Sequence, residues 1–181
     1  MAEGYRWIKV YGGPWNASLV AIIIAEMEIL DAEGNNLAVG GTPFGSPANH
    51  SNYTPPKAFD GIINGACGSM YYSASKPASL GYHTTSPMPA TVVRLATTTY
   101  SDYHPFRLAN GVVLGSNDST DGFDGTWDTL ATEVTMASTG GTWTSHPLTW
   151  GPNAEVGAKP KTLSTPIILS TMPHALTRGF R

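Results

Sequence analysis

Charged residues are scarce in this sequence. Lysine, arginine, aspartate and glutamate make up 13% of the 181 residues, and the formal net charge is −3. The chain has no excess of positive charge with which to attract nucleic acid or an anionic membrane surface, and no basic run that would do so locally. We therefore expect neither nucleic acid nor a membrane surface among its partners.

Long apolar runs and cysteine pairs are also missing. The longest apolar run, residues 19–25, has seven residues, whereas a helix needs about 20 to cross a bilayer, so we expect no membrane insertion. No charged-then-apolar pattern follows Met1, so we do not expect secretion through a signal peptide. Cys67 is the single cysteine, which excludes an internal disulfide.

Turn-forming residues are abundant instead, with 20 glycines and 14 prolines. They separate short stretches rich in β-branched and aromatic residues, and no stretch of ~12 residues keeps helical periodicity without a break. Short strands with turn signals about every ten residues are typical of a β-sandwich or barrel. We predict an all-β fold with strands at residues 5–11, 19–30, 80–83, 91–96, 112–118, 127–135 and 141–150.

The strand predicted at residues 19–30 has two different faces. Alternation along a strand places every second side chain on the same side. One face then carries Ile23, Ala25, Met27 and Ile29, and the other carries Glu26 and Glu28.

Two stretches fall outside this strand pattern. Residues 39–56 are rich in glycine, proline, serine and asparagine, and we predict a long connection outside the regular framework. Residues 151–181 contain four prolines, and we predict that they form an extended C-terminal arm after a body of residues 1–150.

The stretch at residues 55–73 combines features of a binding loop. It begins with a proline pair, places Asp60 in a Phe-Asp-Gly turn, and ends in the adjacent Tyr71 and Tyr72. A carboxylate with backbone carbonyls can surround a hard cation, and the tyrosines offer an aromatic surface beside it. This chemistry favours ligand binding over covalent catalysis.

Five short motifs resemble, in their order along the chain, the discoidin-like (coagulation-factor C-type) domains. The motifs are Ile-Ala-Glu-Met-Glu-Ile, Ala-Phe-Asp-Gly, Tyr-Tyr-Ser-Ala-Ser, Ser-Leu-Gly-Tyr and Leu-Gly-Ser-Asn-Asp, at residues 24–29, 58–61, 71–75, 79–82 and 114–118. The resemblance covers roughly residues 5–150. It implies a galactose-binding-like β-sandwich of jelly-roll form.

The chain is most similar to the variant of this family found in bacteriophage tail and baseplate proteins. In that variant, as here, an aromatic-Arg strand and an Ala-Glu-x-Glu strand precede the Phe-Asp-Gly turn, which implies a circular permutation. Two positions depart from the family pattern: Tyr72 replaces the usual tryptophan, and His83 stands where an acidic residue is common.

The resemblance also implies a structural calcium ion. Asp60 and Glu26 would be side-chain ligands, and Asn64 or Ser69 would add a further oxygen. Calcium takes six to eight oxygen ligands, so backbone carbonyls would supply the remainder. The alternative is that Asp60 only caps its turn and that Glu26 faces water.

For ligand contact we predict Tyr71, Tyr72, His50 and Tyr53. An aromatic face packs on the C–H face of a sugar ring while polar groups bind its hydroxyls, although the same residue types serve protein interfaces. A wider group of aromatic and histidine residues lies in or near predicted loops: Tyr100, Tyr103, Trp143, His83 and His104. The acidic stretch 118–128 does not have EF-hand spacing, and we predict a solvated turn there.

The sequence contains no nucleophile elbow, zinc-protease helix, phosphate loop or dinucleotide fingerprint, so we do not expect an enzyme. The resemblance favours a bacteriophage virion protein of the tail, baseplate or fibre. It would assemble with other virion proteins and copies of itself and recognise host-surface glycan. The alternative is an extracellular carbohydrate-binding module of a secreted bacterial enzyme.

Overall fold

A computed structural model describes residues 4–12, 22–63, 70–75 and 77–152. Within these ranges the chain forms strands and two short 3-10 helices. The strands are β1 (Tyr5–Gly12), β2 (Ile22–Ile24), β3 (Glu26–Leu30), β4 (Thr42–Gly45), β5 (Tyr71–Ser73), β6 (Ala78–Met88), β7 (Val92–Ala96), β8 (Gly111–Ser116), β9 (Asp128–Val134) and β10 (Trp143–Pro147). The 3-10 helices are η1 (Pro55–Ala58) and η2 (Ser101–Phe106). None of the described helices is long and apolar enough to cross a membrane.

The strands form three antiparallel sheets. One has five strands in the order β4-β6-β1-β8-β9, another has three in the order β10-β7-β3, and β2 pairs with β5. Side chains from all three sheets meet in one buried cluster. The all-β prediction is confirmed, and the arrangement is consistent with a β-sandwich.

The core follows from strand alternation. In β1 the side chains of Ile8 and Val10 enter the core, and Met27 and Ile29 of β3 enter it from another sheet. All four are at most 1% exposed. Each fully buried aliphatic side chain stabilises the folded state by about 1.5–3 kcal/mol relative to an exposed one. These strands therefore form the stable core from which the loops extend.

The prediction of one strand at residues 19–30 is wrong. The chain bends at Ala25, whose backbone N–H donates to the carbonyl of Ala96 at 3.0 Å. β2 then pairs with β5, and β3 pairs with β7. The sequence carries no local signal for a change of partner strand at Ala25, because residues that suit a strand stand on both sides of it. Within β3 the predicted faces are confirmed, since Met27 and Ile29 are in the core cluster and Glu28 lies opposite Arg94. In β2 the prediction is wrong, because Ile22 and Ile24 belong to the core cluster and Ile23 does not.

The connection predicted at residues 39–56 contains a strand, so that prediction is also wrong. β4 adds to the edge of the five-stranded sheet, with Phe44 opposite Gly81. The sequence did not predict this strand because Pro43 weakens the strand signal, although proline is tolerated at a sheet edge. β6 likewise continues through Pro87 to Met88, beyond the predicted residues 80–83.

The first strand holds the last described residues. Tyr5 stacks on Trp150 with ring centroids 5.9 Å apart, and its hydroxyl donates to Asp128 Oδ2 at 2.5 Å. The same hydroxyl accepts from the backbone N–H of Gly151 at 3.1 Å. The predicted end of the body lies at this contact. Residues 153–181 of the predicted arm lie outside the described residues.

Candidate ligand-binding surface

Five aromatic side chains follow one another in a continuous row. The row, which we call the aromatic row, consists of His50, Tyr53, Tyr72, Tyr103 and Tyr100 in spatial order. Successive ring centroids are 5.9, 5.7, 6.0 and 5.1 Å apart. Three separate segments of the chain contribute to it: the loop before η1, strand β5, and the segment formed by Tyr100 and the first residues of η2.

Backbone hydrogen bonds hold the first half of the row in place. The N–H of Asn49 donates to the carbonyl of Tyr72 at 2.8 Å, and the N–H of Tyr72 donates to the carbonyl of Tyr53 at 3.1 Å. Within the loop, the N–H of Tyr53 donates to the carbonyl of His50 at 2.9 Å. Ser73 adds a bond from its hydroxyl to the carbonyl of Pro47 at 2.7 Å. The loop therefore lies along β5 as a fixed extension of it.

The second half of the row is mounted at the start of η2. The N–H of Tyr103 donates to the carbonyl of Tyr100 at 3.1 Å, which sets the two rings on one turn. The N–H of Tyr100 donates to the hydroxyl of Thr98 at 3.2 Å. Both ends of the row are open to solvent, because His50 is exposed and Tyr100 is 43% exposed. Tyr53, Tyr72 and Tyr103 between them are partly exposed.

The row offers both apolar faces and hydrogen-bonding groups. A phenol ring has a π face for C–H contacts and a hydroxyl that donates and accepts. The Nδ1 atom of His50 accepts the N–H of Asn52 at 3.3 Å, so the proton of the neutral imidazole lies on Nε2, where it can be donated. This combination is suited to a polyhydroxylated ligand with apolar ring faces.

Three of the four predicted ligand residues, His50, Tyr53 and Tyr72, come together in the row. Tyr71 does not, because its side chain is fully buried. Its hydroxyl lies 2.9 Å from the carbonyl of Ser46 and 2.8 Å from that of Ser79, to which it donates. Burial raises the pKa of Tyr71 to about 12. Tyr71 thus supports the loop beneath the row.

The wider group of predicted loop residues separates into different places. Tyr100 and Tyr103 complete the row, which the sequence could not show because η2 is distant from β5 along the chain. Trp143 lies under the guanidinium of Arg94, which is 4.5 Å from the ring centroid. His83 stacks on Trp7 at 3.9 Å.

The predicted metal ligands Glu26 and Asp60 meet at the Phe-Asp-Gly turn. Gly61, whose φ of 76° suits glycine, donates its N–H to Glu26 Oε1 at 3.2 Å. Asp60 Oδ1 accepts the N–H of Ile62 at 3.1 Å, and Lys57 Nζ lies 4.0 Å from Asp60 Oδ2. Asp60 therefore caps its turn, as the alternative held. Glu26 does not face water, because it is only 4% exposed.

Glu26 is in an unfavourable position for a carboxylate. Burial is the main cause that raises its pKa to about 7, and the charges of Asp60 and Glu28 raise it further against the opposing hydrogen bond from Gly61. Its Oε2 atom is buried and has no hydrogen-bond partner in the described ranges. A buried carboxylate oxygen beside a second carboxylate fits a cation, which would supply the missing partner.

The remaining ligands of the predicted calcium site are not described. Asn64 and Ser69 lie outside the described residues. Among the residues that the structure describes, no group of three or more histidine, cysteine, aspartate or glutamate side chains is placed to hold a metal. Two carboxylates alone fall short of the coordination that calcium requires, so the calcium prediction stays a prediction.

Lys9 forms a second, separate polar centre on the other side of β1 from the core. It is 5% exposed, its Nζ donates to the carbonyl of Gly122 at 2.8 Å, and the same atom lies 3.5 Å from the ring centroid of Trp127. Burial lowers the pKa of Lys9 to about 8, although Asp121 and Asp124 oppose that shift. Sequence reasoning missed this residue, because a single lysine in a strand pattern normally indicates the solvent face.

The acidic stretch is organised by its own backbone. Asp118 accepts the N–H of Thr126 at 2.8 Å, and Asp124 accepts that of Thr120 at 2.7 Å. Hydrogen bonds from the hydroxyl and the N–H of Thr120 hold the pKa of Asp124 below the usual range, and those from the N–H of Thr126 and the hydroxyl of Ser116 do the same for Asp118. These carboxylates build a turn, as predicted.

Comparison of the chain with protein-family models, with curated proteins and with solved structures finds no match in any of the three. The function of the aromatic row is therefore inferred from its own geometry.

Proposed function

We propose that this chain is a structural component of a bacteriophage virion, in the tail, baseplate or fibre, whose body binds host-surface glycans through the aromatic row. It acts by binding and assembly, without catalysis. The observation that carries the proposal is the row itself. It has five neighbouring rings from three chain segments, held by backbone hydrogen bonds, with both end residues exposed and the three between them partly exposed.

The chemistry of the row favours a carbohydrate over an apolar ligand. Its phenol hydroxyls and the imidazole of His50 can bind hydroxyl groups, while the ring faces pack on C–H groups. An apolar ligand would leave these polar groups without partners on binding, which costs free energy. A sugar satisfies both kinds of contact.

The virion context is supported by the sequence motifs. Their order resembles that of the discoidin-like domains of phage tail and baseplate proteins, with β1 and β3 before the Phe-Asp-Gly turn. The proposal therefore includes a circularly permuted jelly roll of the galactose-binding-like kind. The predicted arm would clasp copies of the chain or other virion proteins, because extended backbone can pair with an open sheet edge.

A structural calcium ion is part of the proposal. The buried, unpartnered Oε2 of Glu26 and the neighbouring Asp60 support it. A cation there would fix the Phe-Asp-Gly turn, which leads from η1 toward β5.

The alternative, a carbohydrate-binding module of a secreted bacterial enzyme, uses the same row. The two proposals differ in assembly, since a module tethered to a catalytic domain works as a monomer. The oligomeric state of the full chain separates them.

A glycan array tests the binding proposal. We expect the full chain to bind one or a few glycan classes and Tyr72→Ala to weaken binding at least about tenfold, because loss of one ring contact worth about 1.4 kcal/mol has that effect. Phe123→Ala is the matched control, since Phe123 is an aromatic residue, 54% exposed, outside the row. Unchanged binding by Tyr72→Ala, or equal losses in both variants, would contradict the proposal.

A further inference from the structure

We infer that the aromatic row binds an uncharged glycan lengthwise, along several consecutive sugars within a chain, and does not select a single terminal sugar. This inference rests on the proposed function and specifies its ligand class.

The length of the row is the first reason. The four successive centroid separations lie between 5.1 and 6.0 Å, so no ring is isolated from its neighbours. A pyranose ring is similar in size to a phenol ring, so one sugar can cover one ring or bridge two. Contact with all five rings requires several linked sugars.

The orientation of the rings is the second reason. Neighbouring ring planes are inclined by 60° between His50 and Tyr53, by 53° between Tyr53 and Tyr72, and by 44° in the two remaining pairs. A flat, rigid ligand cannot stack on faces that turn in this way. A glycan chain can, because each glycosidic linkage rotates one sugar relative to the next.

The ends of the row are the third reason. His50 is exposed at one end, and Tyr100 is 43% exposed at the other. A glycan chain can therefore extend into solvent beyond both ends, as binding within a polysaccharide requires.

The charge of the three segments decides between neutral and anionic glycans. Residues 46–54, 71–73 and 98–103 contain no lysine or arginine, and their one carboxylate is Asp102. Recognition of sugar carboxylates, sulfates or phosphates relies on such cations. The row is therefore suited to an uncharged chain.

Calorimetric titration with oligosaccharides of increasing length tests this inference. The probes are neutral homo-oligomers of glucose, N-acetylglucosamine, galactose, mannose and rhamnose, each from one to six sugars, with oligogalacturonate as the anionic counterpart of the galactose series. For the series that binds, we expect the Kd to fall at least tenfold between the disaccharide and the pentasaccharide. We expect no tighter binding of the anionic series.

Variants at one end of the row provide the internal control. Tyr100→Ala should weaken binding of the pentasaccharide at least threefold and by a larger factor than binding of the disaccharide, whereas Tyr72→Ala at the centre should weaken both by similar factors. Thermal unfolding of each variant checks that it is folded.

The possible failures are distinguishable. Length-independent affinity that still depends on Tyr72 would overturn the lengthwise mode and leave the proposed function standing, and tighter binding of oligogalacturonate would overturn the uncharged ligand class. Absence of binding by every series would overturn both the inference and the proposed function.

Discussion

Tyr71 and Tyr72 are consecutive residues of β5 that lie on opposite faces of the strand. The Tyr71 ring is fully buried and its hydroxyl donates to backbone carbonyls, while the Tyr72 ring lies partly exposed between Tyr53 and Tyr103. One residue therefore anchors the loop and the other faces a ligand. Their substitutions should affect different properties of the protein.

Tyr71→Phe should lower stability without changing ligand affinity. The variant loses the hydroxyl that lies within hydrogen-bond distance of the carbonyls of Ser46 and Ser79. The Ser79 carbonyl keeps the N–H of Ser46 as a partner, so the expected cost is that of one lost hydrogen bond, about 0.5–1.5 kcal/mol. Chemical denaturation measures the loss, and Tyr72→Phe is the control, which we expect to stay within about 0.5 kcal/mol of the wild type. Equal destabilisation by the two variants would contradict the assignment of faces.

Glu26→Gln should abolish stabilisation by calcium. The wild type should gain about 2.7 kcal/mol when calcium is present at 100 times its Kd, because Glu26 and Asp60 lie together at the turn. With chelator the variant should be at least as stable as the wild type, since it no longer buries a carboxylate oxygen without a partner. Thermal melts with calcium and with chelator make the comparison.

Glu33→Gln is the control for that experiment, because Glu33 is exposed. It should respond to calcium as the wild type does. If calcium does not change the melting temperature of the wild type, the proposed calcium site is contradicted.

Because Lys9 is buried, the free energy of unfolding should increase as the pH rises above about 8. Burial lowers its pKa from 10.5 to about 8 in the folded chain, so between these values the unfolded chain binds the proton that the folded chain has released. Stability then increases with pH by up to about 1.4 kcal/mol per unit in this window. Below pH 8 both states are protonated and the contribution is constant.

Urea denaturation of Lys9→Met and wild type between pH 7.5 and 9.5 measures this difference. The slope attributed to Lys9 should vanish in the variant and persist in Lys57→Met, whose lysine is 44% exposed. The same slope in Lys9→Met as in the wild type would show that Lys9 is not desolvated.

Truncation after Pro152 should leave a folded body that no longer self-associates. The contacts of Trp150 and Gly151 with Tyr5 are kept, so the melting temperature should change little. The arm is expected to pair with an open edge, and β4 and β9 lie at the edges of the five-stranded sheet. Light scattering after size-exclusion chromatography should show an assembly for the full chain and a monomer after truncation. A monomeric full chain would favour the alternative of a module from a secreted enzyme.

Local patterns predicted most strands but not the change of sheet at Ala25, the edge strand β4, or β5, which lies in the stretch predicted as a binding loop. Alternation and β-branched residues are local signals, whereas the partner of a strand depends on residues far along the chain. The same dependence on distant residues limited the prediction of the aromatic row. Aromatic residues in loops identified His50, Tyr53 and Tyr72, but their contact with Tyr103 depends on how η2 packs against β5. The burial of Glu26 depends on the turn that folds over it.

The most direct test of the account is to map the bound glycan by amide chemical shifts, which a 19.1 kDa chain permits. With the oligosaccharide that binds best, we predict that the perturbed amides cluster at residues 49–54, 71–73 and 98–103. Perturbations confined to the acidic turn at residues 118–126, or scattered over the body, would contradict the aromatic row as the ligand-binding surface.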